Sequence, residues 1–173
     1  LCTEVLKSAL KIRQLIVCAD KPRTLVELQK QIKEIPLPEI IYVSSAAFEK
    51  ISTEKAPEGV AVIAEKPLWL HKTAAASCFI GEIEAEMTVA LFSVRDAGNL
   101  GTAVRSAFAF GYSSIVISSD CADIYNPKAL RASMGALFQM KVTVAENFGD
   151  FVLECRKAGR RIFAAQKREG SIS

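Results

Sequence analysis

The stretch DAGNLGTAVRSAFAFG, residues 96–111, follows directly on the apolar run MTVALFSV at residues 87–94. Such a run is typical of a central parallel strand that is covered on both faces. The stretch after it predicts a helix that ends at Gly111 and packs one apolar stripe on the sheet; the stripe consists of Leu100, Ala103, Val104, Ala107 and Phe108. The loop between such a strand and helix lies at the carboxyl edge of the sheet, where α/β proteins bind ligands.

The glycines of this loop do not match the two common nucleotide-binding motifs. They fall at positions 98, 101 and 111, which fits neither G-x-x-x-x-G-K-[ST] nor G-x-G-x-x-G. No acidic residue in the right context marks a ribose partner. A nucleotide-dependent oxidoreductase and a kinase are therefore disfavoured.

Three residues of the stretch predict a different kind of site. Asn99 is expected at or near the helix N-cap, where free backbone N–H groups favour an anion. Arg105 lies off the apolar stripe, and helical side chains lean towards the N-terminus. Because Gly101 lies one turn earlier and has no side chain, the guanidinium has a clear path to Asn99, which makes a phosphate- or ribose-binding group. The alternative is that Asn99 only caps the helix and that Arg105 pairs with Asp96 or Glu84 at the surface.

From residue 87 onward, strand and helix signals alternate regularly, which predicts a parallel, helix-covered sheet with right-handed crossovers. In the helix NPKALRASMGAL, Asn126 is the expected cap and Pro127 the first residue. FQMKVTV alternates apolar and polar residues, which favours an edge strand. The remaining elements are the strand SIVIS, the helix FGDFVLECRKAG and the strand RIFAAQ.

The first part of the chain, residues 1–67, reads as a separate compact α/β unit. Its helices are TEVLKSAL, TLVELQKQIKEI and SAAFEKIS, and its strands are IRQLIVC, IIYV and GVAVIAEK. In the second helix, Thr24 and Glu27 form a capping-box pattern, and Ser44 or Ser45 opens the third. The apolar residues of 68–86 show no regular helix or strand spacing, so this segment is predicted to be a linker before a second domain at 87–173.

Composition is that of an ordinary globular chain. Its 173 residues carry a net charge of +3, which neither requires nor excludes nucleic acid. The apolar runs are too short for a membrane span. Five separate cysteines (Cys2, Cys18, Cys78, Cys121 and Cys155) and one histidine argue against a disulfide framework and a metal site. A cytoplasmic protein that does not contact a membrane is expected.

Two motifs together resemble the SpoU/TrmH-type branch of the SPOUT RNA methyltransferases. The spacing N-x-G-x-x-x-R at Asn99, Gly101 and Arg105 is similar to that family's first motif, and RASMGALF at 131–138 is similar to the core of its second. The resemblance implies a C-terminal parallel-sheet domain of the trefoil-knot type. It also implies an N-terminal ribosomal-protein-like α/β/α domain that binds RNA.

The resemblance further implies ribose 2′-O-methylation of rRNA or tRNA with S-adenosylmethionine, by a homodimer. Arg105 is then the expected catalytic arginine, with Asn99 beside it. Gly101 permits close approach, and Arg131 and Ser133 are expected to bind substrate. Ser133 and Gly135 fall at positions that help to shape the pocket and the packing on the dimer side. Arginine stays protonated at neutral pH, so Arg105 is expected to hold a phosphate and to stabilise charge on the ribose oxygen. The base is left open between a transiently deprotonated arginine, a phosphate oxygen and water.

Two departures from the family pattern bear on these expectations. Ala97 stands where the family often has proline. The family's third motif, which supplies most contacts to the methyl donor, is expected beyond residue 173, so the domain is expected to be incomplete here. Only Ala164, Ala165 and Gln166 are then weak candidates for donor contact. The alternative function is a non-catalytic RNA-binding protein of the same architecture.

Overall fold

The computed structural model describes residues 1–32, 35–54, 56–66, 71–73 and 87–165. Two β-sheets organise these residues, one built from the first 64 positions and one from residue 71 onward. None of the helices described is long and apolar enough to cross a membrane. The α/β class predicted from the alternating patterns is confirmed.

The first sheet has three strands, β1 (Ile12–Cys18), β2 (Glu39–Val43) and β3 (Val60–Ala64). Their order is β2-β1-β3, with β1 parallel to β2 and antiparallel to β3. Leu15 and Val17 on β1 are fully buried, because Leu28 and Ile32 cover them from one face. The predicted strands and helices are all present; they are α1 (Cys2–Lys7), β1 (Ile12–Cys18), α2 (Pro22–Gln31), β2 (Glu39–Val43), α3 (Ser45–Ile51) and β3 (Val60–Ala64).

The predicted start of α2 is wrong. The helix begins at Pro22 with Lys21 at the N-cap position, and no side chain caps it. Proline is favoured at the first helical position, where its missing N–H costs nothing. Thr24 therefore lies inside the helix, and its hydroxyl donates to the carbonyl oxygen of Glu58 at 2.9 Å. At α3, the expected cap is present, because the Ser44 side chain accepts from the amide of Ala47.

The elements from residue 71 onward are β4 (His71–Thr73), β5 (Val89–Leu91), α4 (Ala97–Ala109), β6 (Ser114–Ser118), α5 (Pro127–Ala132), a short 3₁₀ helix (Ala136–Phe138), β7 (Lys141–Ala145) and α6 (Phe148–Lys157). The second sheet has four strands in the order β4-β7-β6-β5, and all three pairings are parallel, as predicted. Alternate residues of the central strand β6 face opposite helices. Ile115 and Ile117 pack in the cluster under α4, whereas Val116 packs under α6.

The predicted C-terminus of α4 and the predicted start of α5 agree with the structure, but α5 ends at Ala132 and not at Leu137, because the chain turns through left-handed backbone at Met134 and Gly135. Gly111 follows the last turn of α4 with φ +84°, and Asn126 caps α5 by accepting from the amide of Lys128. On the stripe of α4, Leu100, Val104 and Ala107 are buried. Phe108 is instead partly exposed, because it lies at the margin of the face that meets the sheet.

Three strand predictions need correction. Strand β7 is not an edge, because β4 pairs with its outer side, and β4 falls within residues 68–86, which had been assigned to a linker. Strand β5 spans only Val89–Leu91, since the chain turns at Ser93 with φ +55°. Residues 161–165 of the expected strand RIFAAQ are irregular and exposed, and Gln166 lies outside the described residues. A strand persists only where a neighbour accepts its backbone hydrogen bonds.

Candidate functional site

The N-terminus of α4 is capped by Asp96 and not by Asn99. The Asp96 Oδ1 atom accepts from the Asn99 amide at 2.8 Å, so Asn99 lies within the first turn. Aspartate is as good an N-cap as asparagine, and its position three residues ahead of Asn99 is the signal that was available in the sequence. The Asn99 backbone donor is therefore already used by a carboxylate of the protein itself, which removes one argument for an external anion at this helix end.

Asp96 also joins α4 to α5, because its Oδ2 atom accepts from Lys128 Nζ at 2.6 Å. The pKa of Asp96 is lowered, first by the hydrogen bond from Lys128 and then by that from the Asn99 amide. The predicted alternative pair between Arg105 and Asp96 is not the pairing found, since Asp96 is bound to Lys128. Glu84, the other partner considered, lies outside the described residues.

Replacing Asp96 with asparagine should lower the melting temperature slightly at pH 7, because asparagine still caps α4 but loses its attraction to Lys128. The folded state lowers the pKa of Asp96, so its ionised form stabilises the fold at every pH above the pKa of an aspartate in the unfolded chain. That contribution is lost as the pH falls through the lower folded pKa. In melting curves from pH 7 to pH 2, the difference between wild type and Asp96→Asn should therefore shrink towards acid pH. Asp96→Ala should remain less stable throughout, because it loses the cap acceptor.

Arg105 lies on the exposed side of α4, away from the buried stripe. Other cations around α4 and α5 pair with carboxylates: Lys128 with Asp96, Arg131 with Glu54 and Arg95 with Asp120. In the part of the chain that the structure describes, Arg105 shows no such pair. A guanidinium left open to solvent while its neighbours are paired is available for an external anion. Asn99 is exposed on the same helix, nearer its N-terminus.

Gly101 is the point at which α4 and α5 touch. A Cβ atom placed there would lie 2.3 Å from the Ala129 carbonyl oxygen and 3.0 Å from the Ser133 amide nitrogen. The backbone of α5 therefore occupies the space beside Gly101. The predicted close approach is real, but it is an approach of one helix to another, and not a path for the guanidinium of Arg105.

The second motif forms the end of α5 and the turn after it. Ser133 is completely buried, and its hydroxyl donates to the Leu130 carbonyl oxygen at 2.8 Å. The turn then needs left-handed backbone at Met134 and at Gly135, which have φ +50° and φ +92°. Ser133 therefore supports the packing of α5 in this structure and does not reach the surface.

The same segment meets the first unit of the chain. The guanidinium of Arg131 pairs with the Glu54 carboxylate, and Lys66 Nζ lies 4.8 Å from the centre of the Tyr125 ring. A Cβ atom at Gly135 would lie 2.6 Å from the Cβ atom of Glu4, so α1 packs closely on this turn. Arg131, predicted to bind substrate, thus has a carboxylate partner that joins the two parts of the chain.

A group of polar residues at the carboxyl ends of β5 and β6 was not identified from the sequence. The Ser93 amide donates to Ser118 Oγ at 2.8 Å, and Ser118 Oγ donates to Asp120 Oδ1 at 2.6 Å. Arg95 Nη2 lies 3.6 Å from Asp120 Oδ2. A non-glycine residue in left-handed backbone, such as Ser93, costs about 1–2 kcal/mol and is kept only where its surroundings hold it. The sequence signal that could have identified this group is the presence of polar residues at the carboxyl ends of two neighbouring parallel strands.

The three residues predicted to contact the methyl donor follow α6. Ala164 and Ala165 lie in the exposed, irregular segment after α6, and Gln166 lies outside the described residues. Alanine has no polar side-chain atom, so these two positions could offer a bound molecule only their backbone groups.

The chain is similar to several known RNA methyltransferases. Residues 86–173 match the model of the SpoU rRNA Methylase family. Over 99% of its length, the chain is 27% identical to the 23S rRNA (guanosine(2553)-2′-O)-methyltransferase RlmP of Bacillus subtilis, of which it covers 61%. It is 32% identical to the mouse mitochondrial rRNA methyltransferase 3, over 79% of this chain and 38% of that protein.

A solved structure shares the fold. The rRNA methyltransferase of Sinorhizobium meliloti, determined with bound S-adenosylmethionine, superposes with a TM-score of 0.62 at 27% identity, over 91% of this chain and 56% of that one. The chain therefore spans less than two thirds of the length of these relatives.

Proposed function

Since this chain belongs to the SpoU rRNA methylase family, we propose that the full-length protein transfers a methyl group to a ribose 2′-hydroxyl of rRNA, or of tRNA. The methyl donor is S-adenosylmethionine. The observation that carries the proposal is the exposed Arg105 guanidinium, which has no carboxylate partner in the described residues and lies within the family-matched segment.

Arg105 acts in this proposal as a phosphate and oxyanion ligand. Its planar fork can hold a phosphate of the RNA through two parallel N–H···O bonds. The 2′-oxygen becomes more negative as its proton leaves, and a guanidinium fixed nearby stabilises that charge. Asn99, exposed six residues nearer the N-terminus of α4, can bind the sugar or the base through its amide.

Other residues of the two motifs act on this site through the backbone. Gly101 and Ser133 keep α4 and α5 in close contact, which fixes the direction in which Arg105 projects. Arg131 can bind substrate only when it exchanges its contact with Glu54 for an RNA phosphate. S-adenosylmethionine, when bound, would supply an electrophilic methyl group. Because Ala164 and Ala165 have no polar side-chain atoms, we expect its main contacts outside the described residues.

The proposed organisation follows the two sheets. Residues 1–67 form the RNA-binding domain, of the ribosomal-protein-like α/β/α type, and residues 87–173 belong to the methyltransferase domain of the knotted SPOUT type. The mixed three-stranded sheet and its separate core support the first assignment. We further propose a homodimer located in the cytoplasm. Its sites would combine residues of both subunits.

Mapping of ribose methylation tests the function. Ribosomal and transfer RNA from cells lacking the gene should lose 2′-O-methylation at one nucleotide, and the wild-type gene should restore it. The Arg105→Ala gene, expressed at the same level, should not. An RNA methylation pattern that is unchanged by loss of the gene would contradict the proposal. A protein that binds RNA but leaves no methyl mark would be a binding protein of the same architecture.

A further inference from the structure

We propose that Arg95 is a second guanidinium that binds the RNA backbone, and that Ser118, the last residue of the neighbouring strand β6, and Asp120, in the turn after it, hold Arg95 at the carboxyl edge of the sheet. Arg95 would be a substrate ligand, and Ser118 and Asp120 would be positioning residues. This inference rests on the proposed function. It adds an RNA contact outside the motif residues already discussed.

The loop that carries Arg95 is held by β6 and the turn after it. Ser93 takes left-handed backbone, and its amide donates to Ser118 Oγ at 2.8 Å. The next amide, that of Val94, donates to Cys121 Sγ at 3.3 Å, and the Ala122 amide donates to the Val94 carbonyl oxygen at 2.9 Å. These three hydrogen bonds, made by the backbone of Ser93 and Val94, fix the direction in which the chain leaves β5. They thereby fix the backbone position of Arg95, the next residue.

Asp120 is held from the other side. The Ser118 side chain is only 4% exposed, and its hydroxyl donates to Asp120 Oδ1 at 2.6 Å. The pKa of Asp120 is lowered, first by this hydrogen bond from Ser118 and next by the side chain of Ser93, so the carboxylate is ionised at neutral pH. Its second oxygen faces Arg95 at 3.6 Å. A fixed negative charge beside a long, flexible side chain restricts where the guanidinium can go.

Arg95 remains open to a ligand despite this contact. Its side chain is 79% exposed, against 60% for Lys128 and 47% for Arg131, and its ion pair is the longest of the three. A guanidinium has five N–H donors, and one carboxylate can accept from two of them in a parallel pair. At least three donors of Arg95 therefore stay available for a phosphate.

The position of Arg95 suits an RNA strand that also reaches Arg105. Arg95 directly precedes the Asp96 cap, and Arg105 lies nine residues after that cap on the exposed side of α4. At 1.5 Å per residue, Arg105 lies roughly 13 Å along the helix axis from the Asp96 cap, and Arg95 is one residue further away. An RNA backbone that follows α4 can contact both, with Asn99 between them.

Steady-state methylation by the full-length protein tests the inference, with in vitro-transcribed 23S rRNA of Bacillus subtilis as the probe. Arg95→Ala should raise the KM for RNA about tenfold, because a charge-assisted contact to phosphate is lost, and should change kcat less than about twofold. The salt dependence of RNA binding should fall by about one unit of slope. Arg156→Ala, which removes an exposed arginine on α6, is the matched control and should leave KM and slope unchanged.

A double-mutant cycle tests the positioning role. Ser118→Ala should raise KM about threefold in the wild-type background and add almost nothing in the Arg95→Ala background, because the two changes remove the same contact. Equal effects in both backgrounds would overturn the role of Ser118. An unchanged KM and salt slope in Arg95→Ala would overturn the whole inference, and would do so even if Ser118→Ala failed to fold. If the wild-type protein bound the transcript without methylating it, the salt slope of Arg95→Ala would still decide this inference, whereas the proposed function is decided separately by the methylation mapping in cells lacking the gene.

Discussion

Arg105→Ala in the full-length protein is expected to lower the rate of methyl transfer by on the order of a hundredfold or more, because it removes the group that stabilises charge on the attacking ribose oxygen. The fold should be unaffected. The Arg105 side chain is exposed and makes no ion pair within the described residues, so its removal leaves neither a cavity nor an unpaired buried group. Single-turnover methylation with saturating RNA would measure the chemical step, and a melting curve would measure stability.

Two variants separate the proposed role of Arg105 from a general loss of positive charge. Arg105→Lys keeps the charge but replaces the planar fork by a single ammonium group, so most of the loss should remain. Arg156→Ala removes one positive charge from α6 and should keep the wild-type rate. A near-normal rate for Arg105→Lys would mean that charge alone suffices. A near-normal rate for Arg105→Ala would remove the basis of the catalytic assignment.

Gly101→Ala is expected to destabilise the protein by about 3 kcal/mol, near the upper end of the range for overpacked cores. The new methyl group would lie 2.3 Å from the Ala129 carbonyl oxygen and 2.8 Å from the Ala132 Cβ atom. Both neighbours belong to α5, so the clash can be relieved only by moving one helix away from the other. Denaturant unfolding would measure the loss, and the melting temperature should fall by roughly 6–12 °C.

Gly149→Ala is the matched control for Gly101. Gly149 also lies in a helix, but a Cβ atom there meets only the Asn147 Oδ1 atom, at 3.4 Å. Because alanine favours helix over glycine, this variant should be as stable as wild type or slightly more stable. If Gly101→Ala proved equally harmless, the close crossing of α4 and α5 would be wrong. Loss of activity in a stable Gly101→Ala protein would instead point to a direct contact of Gly101 with substrate.

Local patterns in the sequence were enough to predict most elements. The predicted strands IRQLIVC and SIVIS match β1 and β6. Short runs rich in β-branched residues favour strands, because these side chains pack well on a pleated sheet. The C-terminus of α4 at Gly111 and the start of α5 at Asn126–Pro127 were predicted because capping depends on residues within a few positions. The pairing of Asn99 with Arg105 as site residues remains a prediction that rests on the family motif.

The errors concern neighbours that are distant in the chain. The alternation in KVTVA predicts an edge strand for β7, because nothing in these five residues reveals that His71–Thr73 pairs with their outer side. The partner of Arg131 lies 77 positions away, at Glu54, and the residues beneath Gly101 come from α5. The error at the N-terminus of α4 has a local cause. Two good capping residues lie three positions apart there, and the helix is capped by Asp96, whereas the prediction placed the cap at or near Asn99.

By itself, the amino-acid sequence determined the α/β alternation, the parallel sheet of the second unit and membership in the RNA methylase family, because each depends on short-range spacing along the chain. Only the tertiary structure decided which cations are paired and which are open. It left Arg105 exposed, placed Glu54 beside Arg131, and joined Ser93, Ser118 and Asp120 under Arg95. The reason is physical: an ion pair or a buried hydrogen bond depends on distances of a few ångströms between side chains, and those distances exist only once the strands and helices have packed together.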